Sequence, residues 1–404
     1  MEILKGKKVL CIMPIPIIPL IGTSIRCMRQ IRGLIENGME VTLLCPEIME
    51  PDGKNKLSDP FFEGVKVLSI LPNNKNAILR ELGTLFISRR KIENILRELN
   101  PDIVHVHNPP DTMPFVASLA CSSMKIPMIY DIHDAALETI NAVEFNPILK
   151  MLYLRITLFF EKQAVRRSKG LLFVSENAKK SFINTRKYLK HYLNNIHVIV
   201  MKNTDPGYSK IKLDENQDTE NYIFYSGTLY SNLIGLEEFI DAFAEVTKEV
   251  DIKFLIAGDG PYRARLVKYV EQRGLTDRVR FLGFVDRWDI KDSIIKAKLC
   301  AIPYRDTPIT RITLPHKVFE YMAYGKAIIH PDFPGFAEVL ESDNPGKYIS
   351  GDRNTLVKIL KKFLSDDKLR EKVGKHNKDL LKRISFETEL SKMISLYERL
   401  LNAV

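Results

Sequence analysis

The 404 residues contain no pair of cysteines at short spacing; the five thiols, Cys11, Cys27, Cys45, Cys121 and Cys300, are scattered and have no histidine partners at ligand spacing. This argues against a disulfide framework and against a zinc site, and it fits a reducing cytoplasm. No run reaches the roughly 18 uninterrupted apolar residues of a membrane span. The apolar amino terminus, MEILKGKKVLCIMPIPIIPLIG, carries prolines at 14, 16 and 19 that break any helix there. It therefore reads as a first buried strand at Val9–Met13 rather than an export signal. Short repeats and low-complexity tracts are also missing. The basic residues are not interleaved with aromatics in a recognisable RNA- or DNA-binding module, so nucleic acid is not an expected partner.

What is present describes a globular chain, 45% hydrophobic and 27% charged. Its length exceeds one core of usual size and predicts two domains. The formal charge of +10 is uneven, because residues 1–200 hold 27 Lys/Arg against 19 Asp/Glu. A basic half of this kind suits an anionic partner surface.

Short β-rich runs alternate with helical patterns along the whole chain. Strands are expected at Val9–Met13, Glu40–Cys45, Val65–Leu71, Ile103–His107, Met128–Ile132, Gly170–Val174 and His197–Val200. Helices are expected at Ser24–Glu36, Ala77–Leu99 and Ile148–Arg167. The polar stretch Asp205–Asn221 reads as a linker, after which the pattern restarts with strands at Tyr222–Ser226, Ile252–Ala257, Arg278–Leu282, Leu299–Pro303 and Ala327–His330. Such alternation predicts an α/β protein of two Rossmann-like, doubly wound halves. The expected divisions are 1–204, 205–384, and a final helix, 385–404, that could cross back to the first domain.

One segment has both its ends written in sequence: Leu314–Ile329, LPHKVFEYMAYGKAII. Pro315 suits a first helical turn, and Gly325 suits the left-handed residue that terminates a helix. Helical spacing puts Val318, Phe319, Met322 and Ala323 on one side and Lys317, Glu320, Tyr321 and Tyr324 on the other. Elsewhere, candidate ligand loops follow strand ends, where doubly wound sheets bind their ligands. Gly22 precedes a helix that could face an anion. His105 and His107 point to one side of a strand, and His133 with Asp134 ends another. Gly258 and Gly260 flank Asp259 in AGDGP, and Gly227 with Thr228 follows the strand at Tyr222–Ser226.

Taken in this order, these segments resemble the GT-B glycosyltransferases, most closely the retaining enzymes of glycosyltransferase family 4. The resemblance implies two Rossmann-like domains facing a cleft, with a nucleotide-diphosphate sugar held by the second domain. It assigns Glu320 to the ribose hydroxyls, Gly258–Pro261 to the neighbourhood of the base, and Leu314, Pro315, His316 and Lys317 to backbone approaching the phosphates. His133 falls near the transferred sugar, and Gly22 at the reacting end of the donor. With retention, a donor phosphate oxygen helps to take the acceptor's proton, so no side-chain nucleophile is required.

The chain departs from the family pattern at two phosphate contacts. An arginine usually follows the glycine at 227 and a lysine usually precedes Gly235; here the residues are Thr228 and Ile234. The family's paired glutamates are also incomplete, with Ile312 eight positions before Glu320. Lys317 is expected to supply the missing charge, with Arg311 or Arg305 as second choice. No Asp-x-Asp motif flanks the site, so transfer is expected to need no metal and no cofactor beyond the donor.

The expected function is transfer of a sugar to a glycan or lipid-linked acceptor, in cell-surface polysaccharide or glycolipid synthesis. The competing readings are a catalytically weakened relative acting as a binding or assembly partner, and a nucleotide-sugar epimerase. The expected location is the cytoplasm or the inner face of the cell membrane. The apolar, base-flanked segment 148–167 reads either as a core helix or as a helix lying on an anionic membrane.

Overall fold

A computed structural model describes residues 2–17, 22–46, 62–71, 89–142, 146–212, 219–229, 233–285 and 289–403. The chain forms two compact units, one of Met1–Lys202 with Glu387–Val404 and one of Asn203–Phe386.

Among the described residues, the first unit is built on seven parallel strands: β1 (Lys8–Ile12), β2 (Glu40–Pro46), β3 (Lys66–Leu71), β4 (Ile103–His107), β5 (Met128–Ile132), β6 (Gly170–Phe173) and β7 (His197–Val200). They lie in the order β3-β2-β1-β4-β5-β6-β7. Val9 of β1 is flanked by Val41 of β2 and Ile103 of β4, so the strand order reverses at β1. Every residue of β4 and β5 is buried, as strands covered by helices on both faces of a parallel sheet should be, including the polar His105, His107 and Asp131. The expected helix at Ala77–Leu99 is described only from Arg89 onward; residues 72–88 lie outside the described chain. The last helix, Phe386–Asn402, packs within this unit and buries Met393, Leu396 and Tyr397.

The second unit repeats the architecture with, among the described residues, six parallel strands: β8 (Glu220–Ser226), β9 (Lys253–Ala257), β10 (Val279–Gly283), β11 (Ala297–Ala301), β12 (Ile328–Pro331) and the two-residue β13 (Lys347–Tyr348). Their order is β10-β9-β8-β11-β12-β13, with the reversal at β8. The sequence carries no clear signal for β13, because two residues are too few for a β pattern. One apolar core lies around β8, β9 and the helix Leu236–Val246. Another lies under the helix His316–Ala323.

That helix ends as its sequence implies. Gly325 has φ +63°, its N–H reaches the Met322 carbonyl at 3.0 Å, and the Lys326 N–H reaches the Tyr321 carbonyl at 3.0 Å. The paired bonds form a Schellman stop. Two details differ from expectation. Pro315 is the capping residue with extended backbone (φ −74°, ψ 149°), one place before the first turn. Tyr321 is fully buried rather than on the open face, because its hydroxyl accepts the Ser226 N–H at 2.9 Å and lies 3.0 Å from the Ser226 hydroxyl. A phenol that finds partners at its tip can be buried at little cost.

Candidate active site

The second unit places five of the expected donor residues, Gly227, Thr228, Gly258, Asp259 and Gly260, at the carboxyl ends of β8 and β9. The Gly227 N–H bonds the Ala257 carbonyl at 2.9 Å and the Leu229 N–H bonds the Asp259 carbonyl at 2.9 Å, so the two loops run side by side. They approach too closely for side chains. A β-carbon on Gly258 would collide with the Gly227 carbonyl, and one on Gly260 with the Leu229 carbonyl. Both glycines also have positive φ, +158° and +149°. The GDGP turn is therefore required by backbone packing. Thr228 is exposed, and Ile234 pairs with Tyr304, the chain just past β11.

Lys317 reaches into this corner from the first turn of its helix. Its ammonium lies 4.1 Å from the centroid of the Tyr225 ring and 5.7 Å from that of Tyr304, and a β-carbon on Gly227 would collide with it. The residue as a whole is partly exposed, but its charged end has exchanged water for aromatic faces. This burial lowers its pKa from 10.5 to about 7, against the opposing pull of the Glu320 carboxylate. Tyr225 is fully buried, and its hydroxyl has no hydrogen-bond partner among the described residues. An orphaned buried hydroxyl beside a poorly solvated ammonium is a costly arrangement that a bound anion would relieve.

The remaining expected cations are already engaged. Arg311 is exposed and forms a two-point pair with Asp306, and Arg305 lies 3.2 Å from both Glu237 and Glu238. Leu314 is buried, and its carbonyl accepts from Asn203 at 3.3 Å. Pro315, His316 and Glu320 are all partly exposed along the helix that carries Lys317.

In the first unit, Gly22 opens the helix Gly22–Glu36, and a β-carbon there would meet no atom of the described residues within 4 Å. His133 follows β5 and is joined to its neighbours: its Nε2 lies 2.8 Å from Nδ1 of His107, and its backbone N–H donates to Asn108 at 2.8 Å. Asp134 is not its side-chain partner.

Beneath this pair lies a buried polar cluster that sequence spacing could not assemble. Arg26 bonds both oxygens of Asp131, at 3.1 and 3.2 Å, and the Met201 carbonyl at 2.6 Å. Gln30 donates to Asp131 at 2.7 Å, and His105 lies 2.7 Å from the Tyr397 hydroxyl. The His105 and His107 rings stack with centroids 4.7 Å apart. Burial works to raise the Asp131 carboxyl, yet the guanidinium of Arg26 and the imidazoles around it hold it well below the ordinary carboxylate value. Burial likewise lowers His133 to about 3, although Asp131 pulls the other way. His107 is also held well below the usual imidazole range, first by burial. Both rings are therefore neutral near pH 7.

His105, His107 and Asp131 could each offer one atom to a metal ion, all within 4.8 Å of one another. The carboxylate, however, already accepts from Arg26 and Gln30. A cation placed there would face the fixed guanidinium charge, so the donor set suits an ion pair better than a metal.

Residues 22–199 match the model of Glycosyltransferase Family 4, and residues 209–380 match that of Glycosyl transferases group 1. An alpha-D-kanosaminyltransferase of Streptomyces kanamyceticus is 24% identical over 73% of this chain and 76% of its own length. An uncharacterized glycosyltransferase of Methanocaldococcus jannaschii is also 24% identical, over 93% of this chain and 94% of its own. Among solved structures, HepE of Anabaena in complex with UDP and glucose superposes with a TM-score of 0.72 at 17% identity, covering 98% of this chain and all of its own.

Proposed function

From the premise that this chain is a GT-B glycosyltransferase resembling family 4, we propose that it moves a sugar from a nucleotide-diphosphate donor with retention, using Lys317 as the cation that receives the diphosphate. The observation that carries this reading is the placement of the Lys317 ammonium against Gly227 and the rings of Tyr225 and Tyr304. In that corner the arginine and lysine usual for the family, after position 227 and before Gly235, are replaced by Thr228 and Ile234.

The chemistry follows from charge. As the bond from the anomeric carbon to the diphosphate oxygen breaks, that oxygen takes the electron pair and the leaving group gains negative charge. An ammonium stripped of water stabilises this charge more strongly than a hydrated one, and the first turn of the helix His316–Ala323 presents N–H groups to the same anion. Glu320, one turn on, accepts two hydrogen bonds from a ribose diol. The acceptor hydroxyl forms the new bond on the face the leaving group vacates and passes its proton to a phosphate oxygen. His133, neutral and held by His107, is a hydrogen-bonding group rather than a charge. UDP-glucose is the first donor to test, because HepE has been solved with it.

The acceptor in this reading is a glycan or a lipid-linked molecule. Incubation with a panel of nucleotide sugars, followed by assay of nucleoside diphosphate release, tests the reading, and the anomeric proton of the product reports retention. Failure of every donor to bind or turn over would remove it.

A further inference from the structure

The helix Pro147–Arg167 lies against the helix Thr112–Met124 through one side, burying Thr157, Glu161, Ala164 and Val165 and stacking Phe160 on Phe115 at 4.8 Å. Its other side is apolar, and no other described element is packed on it. Ile148 is 73% exposed, Leu149 55%, Leu152 54% and Phe159 52%, with Met151 and Ile156 beside them. At helical spacing, Ile148, Leu152, Ile156 and Phe159 lie along one strip. A core helix would not leave six large apolar side chains in water, and such contiguous patches mark an interaction surface.

Charge identifies the partner. Residues 151–200 carry ten Lys/Arg and two Asp/Glu. Each acid takes up one of these cations, buried Glu161 with buried Arg186 and Glu176 with Lys179, so eight of the ten are left without an acid from this segment. Arg155 and Arg166 are exposed on the strip's own side of the helix, and Lys162 lies 5.8 Å from the ring of exposed Tyr188. We infer that this face docks on an anionic lipid bilayer, with the apolar strip entering the interface and the arginines and lysines meeting the headgroups. A second copy of the chain fits less well, because a symmetric contact would set these basic side chains against one another. Among the described residues no helix is long and apolar enough to cross a membrane, so the association is with the surface. The inference stands apart from the donor site.

Sedimentation with vesicles tests it. The intact protein should pellet with phosphatidylcholine vesicles containing about 30% phosphatidylglycerol but not with pure phosphatidylcholine, and added salt should weaken binding. The double variant Ile148→Ser/Leu152→Ser should bind at least ~10-fold more weakly, as should Arg155→Glu/Arg166→Glu, each with an unchanged melting temperature because the side chains are exposed. Absence of binding to anionic vesicles at low salt would overturn the inference, as would equal binding by the variants. A wild-type dimer that the Ile148→Ser/Leu152→Ser variant makes monomeric would also overturn it, since the face would then be an interface between chains.

Discussion

Replacing Lys317 by methionine should make the free protein more stable and the enzyme much slower. The ammonium is protonated up to pH 10.5 in the unfolded chain but only to about 7 in the folded one. Between those values the unfolded chain binds more protons, so stability should rise with pH across this window and be lowest below it. At about 1.4 kcal/mol per pH unit, the full shift corresponds to roughly 4 kcal/mol at neutral pH. Solvent reaching the partly exposed side chain reduces this, leaving about 1–2 kcal/mol that methionine, of similar length and without charge, would recover. Turnover should fall at least ~10-fold, because the leaving diphosphate loses its cation. The free wild-type enzyme should also lose kcat/KM as pH rises through about 7, and the variant should lack that limb. Urea titrations from pH 6 to 10 and nucleoside diphosphate release assays read both effects. A variant with normal turnover, or one less stable than wild type at neutral pH, would refute the reasoning.

Other consequences can be measured directly. Glu320→Ala should weaken nucleoside diphosphate binding by calorimetry about 10- to 100-fold, the loss of hydrogen bonds to a charged group, and unchanged affinity would remove the ribose assignment. Arg26→Met leaves Asp131 as an uncompensated buried charge and should cost about 3–5 kcal/mol in urea unfolding, while a loss under about 1 kcal/mol would contradict the buried pair. His133 titrates at about 3 when folded against an ordinary 6.5, so the unfolded chain gains its proton first and stability should decline as pH falls from 6.5 toward 3. His133→Asn should flatten that decline, and a slope identical to wild type would exclude the imidazole as its source.

The fold was legible because parallel sheets leave a strong one-dimensional trace. Buried strands such as Lys8–Ile12 and Gly170–Phe173 are short runs of almost wholly apolar residues, and the helices between strands have caps or stops that act locally, as Gly325 does. Tyr321 was misplaced for a reason of the same kind. Helical spacing records a residue's angle around the axis but not a hydroxyl partner 95 positions away on Ser226. The strip on the helix Pro147–Arg167 was ambiguous because an apolar helix reads alike whether another element covers it or not.

The amino-acid order alone determined the two Rossmann-like halves and the helix that carries Lys317 and Glu320, since each of these is set by neighbours within a few residues. Tertiary structure decided which charges remain available. It drew Arg305 and Arg311 into pairs with Glu237, Glu238 and Asp306, set Lys317 against Tyr225, and closed Arg26 on Asp131 across 105 positions. The free energy of a charge depends on its hydration and on the groups around it in space, and chain order does not record those distances.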